Sequence, residues 1–401
     1  MKSYRIAHIG DIHYSGTYLA EVGECMAYVR ARLAADPPDL IVIPGDTFDH
    51  RLEQNSPAFL AALDCIRDLA DIAHLLILQG TFSHDAPRAI DVFRYVESIH
   101  PVFVADRIQQ VFFGSAGFRV EGFDEWLDGG AGVLLSCLPA INKGQAAAIA
   151  GAERAGEAAG EAIGALLRGW SKSHLAARAA GAPSVILSHG TVSGSMTEHG
   201  CVMAGLDHEF TAGQLFAAEA SAVMLNHIHK HQSWERDGRR IAYAGSIGRL
   251  HFGEIDPKGF LMWDVSADHS SFEFIETPAR KLLDIEFPGS PVMDELARYA
   301  DQIRGEQNIR VRLRWAVDEE HRHSVDREAI ERLFEGHDLK IEARIIPVTR
   351  QRAAGISQAL TNADRLRQWC ELTDTPADPL LERLALLEGH DESLTKEDQA
   401  A

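Results

Sequence analysis

The sequence predicts an α/β protein: a layered core of strands flanked by helices, then a small α+β module, then a helical tail. Three observations carry this reading. Short apolar runs alternate with helically spaced segments over the first 278 residues. Several of those runs end directly in Asp or His. The rhythm changes near Thr277 and again near residue 350.

Each element follows from its own residues. Tyr4 to Gly10 is an apolar run ending at Asp11, the pattern of a buried strand. Glu21 to Ala35 has helical spacing and stops before Asp36-Pro37-Pro38. Leu40 to Ile43 is a strand that ends at Pro44-Gly45-Asp46, and Ala58 to Ala73 is a helix. Leu75 to Leu78 is a third strand, ending at Gly80. Ala146 to Ala180, rich in Ala, Gly and Glu, reads as one or two surface helices. Val185 to Leu187 and Ala222 to Leu225 are strands that run into His189 and Asn226. Ile241 to Gly245 and Phe260 to Trp263 are further strands. From residue 281 a strand, helix, strand, helix, strand order repeats to Ile346, which resembles a split β-α-β unit. Arg310, Arg312 and Arg314 alternate on its middle strand, where they either track a nucleic-acid backbone or form a solvated face. Gln358 to Leu387 holds two amphipathic segments, and the polar end after them is expected to be disordered. The expected domains are therefore 1–278, 279–350 and 351–401.

Bulk properties narrow the function. A formal net charge of −20 excludes a passive polycation, so a phosphate substrate would need a local positive centre such as a bound divalent metal. Five scattered cysteines without a C-x-x-C pair suit a reducing cytosol rather than a disulfide framework. The N-terminus enters a strand pattern at once, so no signal peptide is expected, and no apolar stretch is long enough to span a bilayer.

The strand ends carry the chemistry. In chain order they present Asp11-Ile12-His13, Gly45-Asp46, Ser83-His84-Asp85, Ser188-His189 and Asn226-His227-Ile228-His229. Imidazoles and carboxylates in this proportion suit two divalent ions, which about 3.5–4 Å apart can clamp a phosphodiester and generate a nucleophile. If the chain stays extended, Asp11 and His13 share a side, as do His227 and His229, because strand period is two. Asp46 is the natural bridging carboxylate and His189 completes a nitrogen-rich second site. His84 is the candidate general acid. Asp49 and Asp85 are read as carboxylates that orient histidines or cap backbone. His8, His50, His74, His100, His199, His208 and His231 are read as structural.

These residues resemble the calcineurin-like metallophosphoesterases, and among them the SbcD-type nuclease subunits of the SbcCD repair complex. Beyond the strand-end motifs, the likeness rests on His189-Gly190-Thr191-Val192-Ser193-Gly194 and His227-Ile228-His229-Lys230. It continues through Tyr243-Ala244-Gly245-Ser246, Arg249, Phe252-Gly253-Glu254 and Lys258-Gly259-Phe260. It covers residues 4–275 well and 281–346 more weakly. The resemblance implies a metallophosphoesterase β-sandwich, a capping or DNA-binding module, and a tail that binds a partner. It implies that Asp11, His13 and His229 hold one metal, that His189 and His227 hold the other, and that Asp46 bridges. Manganese is the metal it favours, with magnesium, zinc or iron as substitutes. The implied partners are DNA, an SbcC-like coiled-coil ATPase and a second copy of the chain, with no membrane. Arg249 becomes a candidate substrate contact.

Two departures stand out. The family's third motif is Gly-Asn-His, with Asn as a metal ligand, whereas this chain has Gly80-Thr81-Phe82-Ser83-His84. Ser83 and Thr81 are the candidate replacements. Asn226 stands where the family has Gly, and Asn tolerates a left-handed backbone. The leading expectation is thus a manganese-dependent DNA nuclease acting on ends or hairpins. Its rivals are a phosphoesterase of small molecules and a non-catalytic scaffold for an ATPase.

Overall fold

Strands with apolar side chains on both faces must be covered on both faces, and that requirement builds the layers. The computed structural model describes residues 3–128, 132–141, 155–197, 201, 209–321, 323–347 and 356–397. His199, His208 and residues 146–154 lie outside them. The chain divides into two compact units. The first comprises Met1–Ile285, Ala297–Leu313 and Glu331–Ile341, and the second Glu286–Leu296, Arg314–Ile330 and Glu342–Ala401.

In chain order the strands and helices of the first part are β1 (Tyr4–His8), α1 (Leu19–Ala35), β2 (Leu40–Ile43), α2 (Pro57–Ile72), β3 (His74–Leu78) and β4 (Val102–Ala105). Next come β5 (Gln109–Gly114), β6 (Gly117–Arg119), α3 (Phe123–Asp128), β7 (Val133–Leu138), α4 (Ala155–Ala179), β8 (Ser184–His189) and β9 (Thr191–Val192). Then follow β10 (Glu209–Phe210), α5 (Ala212–Ala217), β11 (Ala222–Asn226), β12 (Gln232–Arg236), β13 (Arg239–Tyr243), β14 (Gly259–Val265) and β15 (Ser270–Glu276). One sheet has six strands in the order β15-β14-β1-β2-β3-β4, and the other has seven in the order β12-β13-β11-β8-β7-β5-β6.

Period-two alternation assigns each side chain to a layer. Ile6, Leu40, Val42, Leu76 and Leu78 from the first sheet pack with Leu135, Val185, Leu187 and Met224 from the second. The opposite faces of the same strands, Ala7, Ile41, Ile43, Leu75 and Ile77, pack on α1 and α2. On the second sheet Ile186, Val223 and Leu225 pack with Ile163 and Leu167 of α4 and Leu215 of α5. The result is a two-sheet sandwich with helices on both outer faces. β1, β2, β3 and β4 run parallel, as do β7, β8, β11 and β13. Their carboxyl ends are where an open parallel sheet gathers ligands.

Local chemistry sets the element boundaries. Ser56 caps α2 by accepting from Phe59 N, and Pro57 occupies the first turn, where its missing N–H costs nothing. Ala86 to Ile99 has amphipathic spacing but forms only a short 3-10 segment, Ala89–Tyr95. It opens on Arg88, whose φ of +67° is left-handed.

After residue 280 the order is β16 (Lys281–Phe287), α6 (Met293–Gln302), β17 (Ile309–Asp318), α7 (Arg327–Leu333) and β18 (Asp338–Ile346), within a residue or three of the sequence expectation. Arg310 lies 2.9 Å from Asp338, Arg312 2.6 Å from Asp284 and Arg314 2.8 Å from Glu286. The alternating arginines thus face acids across the sheet, which corrects the reading of a cationic track. The tail carries α8 (Asn362–Leu372) and α9 (Asp378–Glu397). The break between them falls at residues 373–377, around Pro376, and Pro379 sits in the first turn of the second helix, which runs to Glu397. No helix among the described residues is long and apolar enough to cross a membrane.

The inter-sheet core gives the first prediction. Leu187 is fully buried between the sheets two residues before His189. Leu187→Ala should lower the unfolding free energy by about 2–5 kcal/mol in urea titrations. A change within error would mean that the sheets are not packed through this residue.

Candidate metal centre

Five strand ends converge on one point. Beyond β1 come Asp11 and His13, beyond β2 Asp46, beyond β3 Thr81 and His84, at the end of β8 His189, and beyond β11 His227 and His229. Asp11, His13 and His229 form one group and Asp46, His189 and His227 another, with the ligating atoms inside each group within 4.8 Å of one another. His13 also groups with Asp49 and His84. Asp11, His13, Asp46 and His189 are buried, while His84, His227 and His229 are half-buried.

The backbone reaches this arrangement under strain. Asp11, His13, Asp46 and His227 have φ of +35°, +56°, +51° and +111°, a region that costs a non-glycine residue on the order of 1–3 kcal/mol. The extended geometry expected for Asp11-x-His13 and His227-x-His229 is therefore corrected. Asp11 and His13 converge on one group through left-handed backbone, whereas His227 and His229 go to different groups. Asn226 also differs from expectation, because the left-handed residue is the histidine that follows it. Asn226 is buried at the end of β11. Its amide N lies 2.7 Å from Leu225 O and 2.9 Å from His8 Nε2, and its amide O 3.0 Å from Asp11 N, so all three are satisfied. This amide ties the end of β1 to the end of β11.

Asp46 lies between the two groups. Its Oδ2 is 3.2 Å from His189 Nε2 and 4.0 Å from His13 Nε2. Thr81 holds the carboxylate, donating from its N at 2.7 Å and from Oγ1 at 2.9 Å to Oδ1 and 3.1 Å to Oδ2. Ser83 is exposed and makes none of these hydrogen bonds. Two glycines make room. A Cβ on Gly80 would stand 2.2 Å from Asp46 Oδ1, and one on Gly45, at φ +98°, would stand 2.4 Å from His189 Nδ1.

Tautomers are set by the outward ring nitrogens. His189 Nδ1 donates to Pro44 O at 2.8 Å, and His84 Nδ1 donates to Asp49 O. His229 Nδ1 donates to Glu254 Oε1 at 2.9 Å. Each leaves Nε2 facing the centre. His13 Nε2 and His229 Nε2 stand 3.1 Å apart. His189 Nε2 is buried and faces the Asp46 carboxylate at 3.2 Å. Paired imidazole nitrogens aimed at one point beside a shared carboxylate fit divalent cations, so the donor set passes that chemical test.

Other candidates have different tasks. Asp85 accepts from Phe48 N at 3.0 Å, Gly80 N at 3.1 Å and Thr47 N at 3.3 Å, so it caps backbone and orients no histidine. Asp49 reaches His13 Nδ1 at 3.7 Å and His50 Nδ1 at 3.1 Å. Arg249 directs its guanidinium at the carbonyls of Glu254, Asp256, Ala279 and Arg280, at 2.9–3.1 Å. That corrects its reading as a substrate contact, since its donors are taken by backbone. The residue that sequence reasoning missed is Glu254, which is fully buried behind His229. Its signal was present only as the string Phe252-Gly253-Glu254.

Electrostatics follow from burial and neighbours. Burial opposes the His189 cation, but Asp46 beside it raises the ring to about 9. Asp46 resists its own burial penalty because His189 and His13 hold it well below the usual carboxylate range. Burial, with the Asp46 charge adding, pushes Asp85 up to about 7. Burial and the neighbouring His229 push His13 well below the usual histidine range.

No family model matches the chain, and no curated protein matches it. Among solved structures, one similar to it is GAP50, the anchor in the inner membrane complex of Plasmodium, at 12% identity and a TM-score of 0.43, covering 69% of this chain and 86% of that one. Another is a conserved uncharacterized protein from Streptococcus pneumoniae, described as a predicted phosphoesterase. It stands at 11% identity and a TM-score of 0.23, covering 69% of this chain and 99% of that one.

Metal binding requires neutral His189, and without metal this ring holds its proton below about pH 9. Loading manganese at pH 7 should therefore release a proton, and affinity should rise as pH climbs towards 9. Calorimetry in two buffers of different ionisation enthalpy reads this directly. Equal heats in both buffers would contradict the charged Asp46–His189 pair.

Proposed function

We propose that the chain is a metal-dependent phosphoesterase whose substrate is DNA, cleaved at ends or hairpins by an SbcD-type activity with manganese. The observation that carries the phosphoesterase reading is Asp46 Oδ2 lying between the His189 and His13 nitrogens, with one further Asp and two further His around it. Asp11, His13 and His229 would hold one ion, His189 and His227 the other, with Asp46 shared. Divalent ions bound there supply Lewis acidity toward a phosphate and acidify a water. His84 stands beside them, its ring 4.7 Å from that of His13. With Nδ1 engaged by Asp49 O, its Nε2 is the atom free to pass a proton to a leaving oxygen.

Support for a nucleic-acid substrate comes from the surface next to His84. A cavity of about 930 Å³ is lined by Phe48, His50, Arg51, Ala86, Arg88 and Tyr95, among others. It begins one residue away from both Asp49 and Asp85. Arg51 and Arg88 are the cations there, Arg88 with its Nε 3.0 Å from Asp91, and an 85% exposed tyrosine offers a stacking face. The proposal extends to a second copy of the chain and to an SbcC-like ATPase docked on the tail, where Trp369, Leu372, Leu386 and Leu387 are exposed.

The test is cleavage of end-labelled duplex and hairpin DNA with manganese, beside turnover of bis(p-nitrophenyl) phosphate. Wild type should act on both. His84→Ala should slow DNA cleavage by about 10²–10⁴-fold, and Asp46→Ala should abolish both activities. Tyr95→Ala should weaken DNA cleavage while leaving the small ester untouched. Turnover of the ester without any DNA cleavage would move the substrate to small phosphate esters. Failure on both by a metal-loaded protein would end the enzymatic reading.

A further inference from the structure

Glu254 and Lys258 are both charged and both inside the protein, at 0% and 1% exposure. Their contacts are complete. Lys258 Nζ lies 3.0 Å from Glu254 Oε2 and donates to Ser246 Oγ at 2.8 Å and to His229 O at 2.9 Å. Glu254 Oε2 also accepts from Leu250 N at 3.1 Å. Its Oε1 takes His229 Nδ1 at 2.9 Å and faces His251 Nε2 at 3.1 Å. The His229 carbonyl receives a second bond, from Ser246 N at 3.2 Å. His229 is therefore gripped at both ends, by Glu254 at the ring and by Lys258 with Ser246 at the backbone.

Stability does not account for this pair. Desolvating two charges costs several kcal/mol per ion, and apolar residues of similar volume often serve as well or better. Geometry does account for it. A carboxylate on Nδ1 fixes which imidazole nitrogen carries the proton and where the other points. A cation against the far oxygen keeps that carboxylate an acceptor. His229 also needs this support more than His189 does. His189 ends a strand, whereas His229 lies in the loop after β11 and is half-buried.

We infer that Glu254 and Lys258 are positioning residues that aim His229 Nε2 at the ion it shares with Asp11 and His13. This inference rests on the metal-centre reading above but not on the identity of the substrate. Neither residue touches the reacting atoms in this scheme, since each acts through His229.

The experiment is manganese binding to the full chain, by calorimetry and by electron paramagnetic resonance, which reports whether two ions sit close enough to couple. The variants are Glu254→Gln, Lys258→Met and the double variant Glu254→Leu/Lys258→Met. The double variant leaves no orphaned buried charge, so it should melt within a few degrees of wild type. It should still bind one ion with wild-type affinity, lose about 10–100-fold at the other, and lose the coupled signal. Glu254→Gln, which keeps an acceptor on His229, should recover part of that loss. A folded double variant with the wild-type isotherm and spectrum would overturn the inference. So would a double variant that unfolds, because the pair would then be structural. Two ions bound by wild type without phosphoester turnover would sink the proposed function and leave this inference standing.

Discussion

The carboxylate of Asp46 is the constraint around which the rest of the centre is arranged. It follows a strand of the first sheet, yet its closest imidazole, His189, ends a strand of the second, so the centre exists only where the strand ends of the two packed sheets meet. Holding a buried carboxylate there demands compensation from every side. Thr81 supplies two donors, and the neighbouring imidazoles supply positive charge. Gly80 is glycine because any side chain would displace the carboxylate itself. Asp85, fully buried one loop away, is pushed in the opposite direction, to about 7. Two carboxylates in one small volume are thus driven in opposite directions, Asp46 down and Asp85 up.

Strain fits the same picture. Four of the six ligand candidates sit at positive φ, which no local preference for Asp or His would produce over three separate loops. Such conformations persist only when the surroundings over-determine them. Here the surroundings are specific. His13 N donates to Asp46 O at 3.1 Å, His227 N donates to Asp11 Oδ1 at 3.1 Å, and the Asn226 amide bonds Asp11 N. The ligand loops brace one another, so they form as a set.

How much of this was legible depended on whether a feature is local. The strands β1, β2, β3, β8 and β11 read clearly because they are largely buried on both faces and mostly apolar, with only Arg5 interrupting β1. The Asp and His residues that end them were visible for the same reason. The short β4 and β6 and the half-exposed β12 gave no comparable run, whereas β7, Val133–Leu138, is equally apolar and buried and was passed over. The division of His227 and His229 between two groups was implied only by the family resemblance, and the left-handed backbone at His227 carried no sequence signal. Pairings over long separations were equally hidden. Asp284 neutralises Arg312 from 28 positions away, and the partners of Arg249 are backbone carbonyls that carry no sequence signal.

Net charge poses the last question, because a chain at −20 repels a phosphate substrate at long range. The contradiction is local bookkeeping. At the centre Asp11 and Asp46 face the ligand site, with Asp49, Asp85 and Glu254 behind them, and Lys258 is the one lysine drawn into that network among the described residues. A carboxylate-rich pocket of this kind repels a bare phosphate but attracts divalent cations. Once bound, those cations are the largest charges present and reverse the sign that the substrate meets. The acidity that would exclude this chain as a simple polyanion binder is, at the strand ends, what a metal-dependent route to phosphate requires.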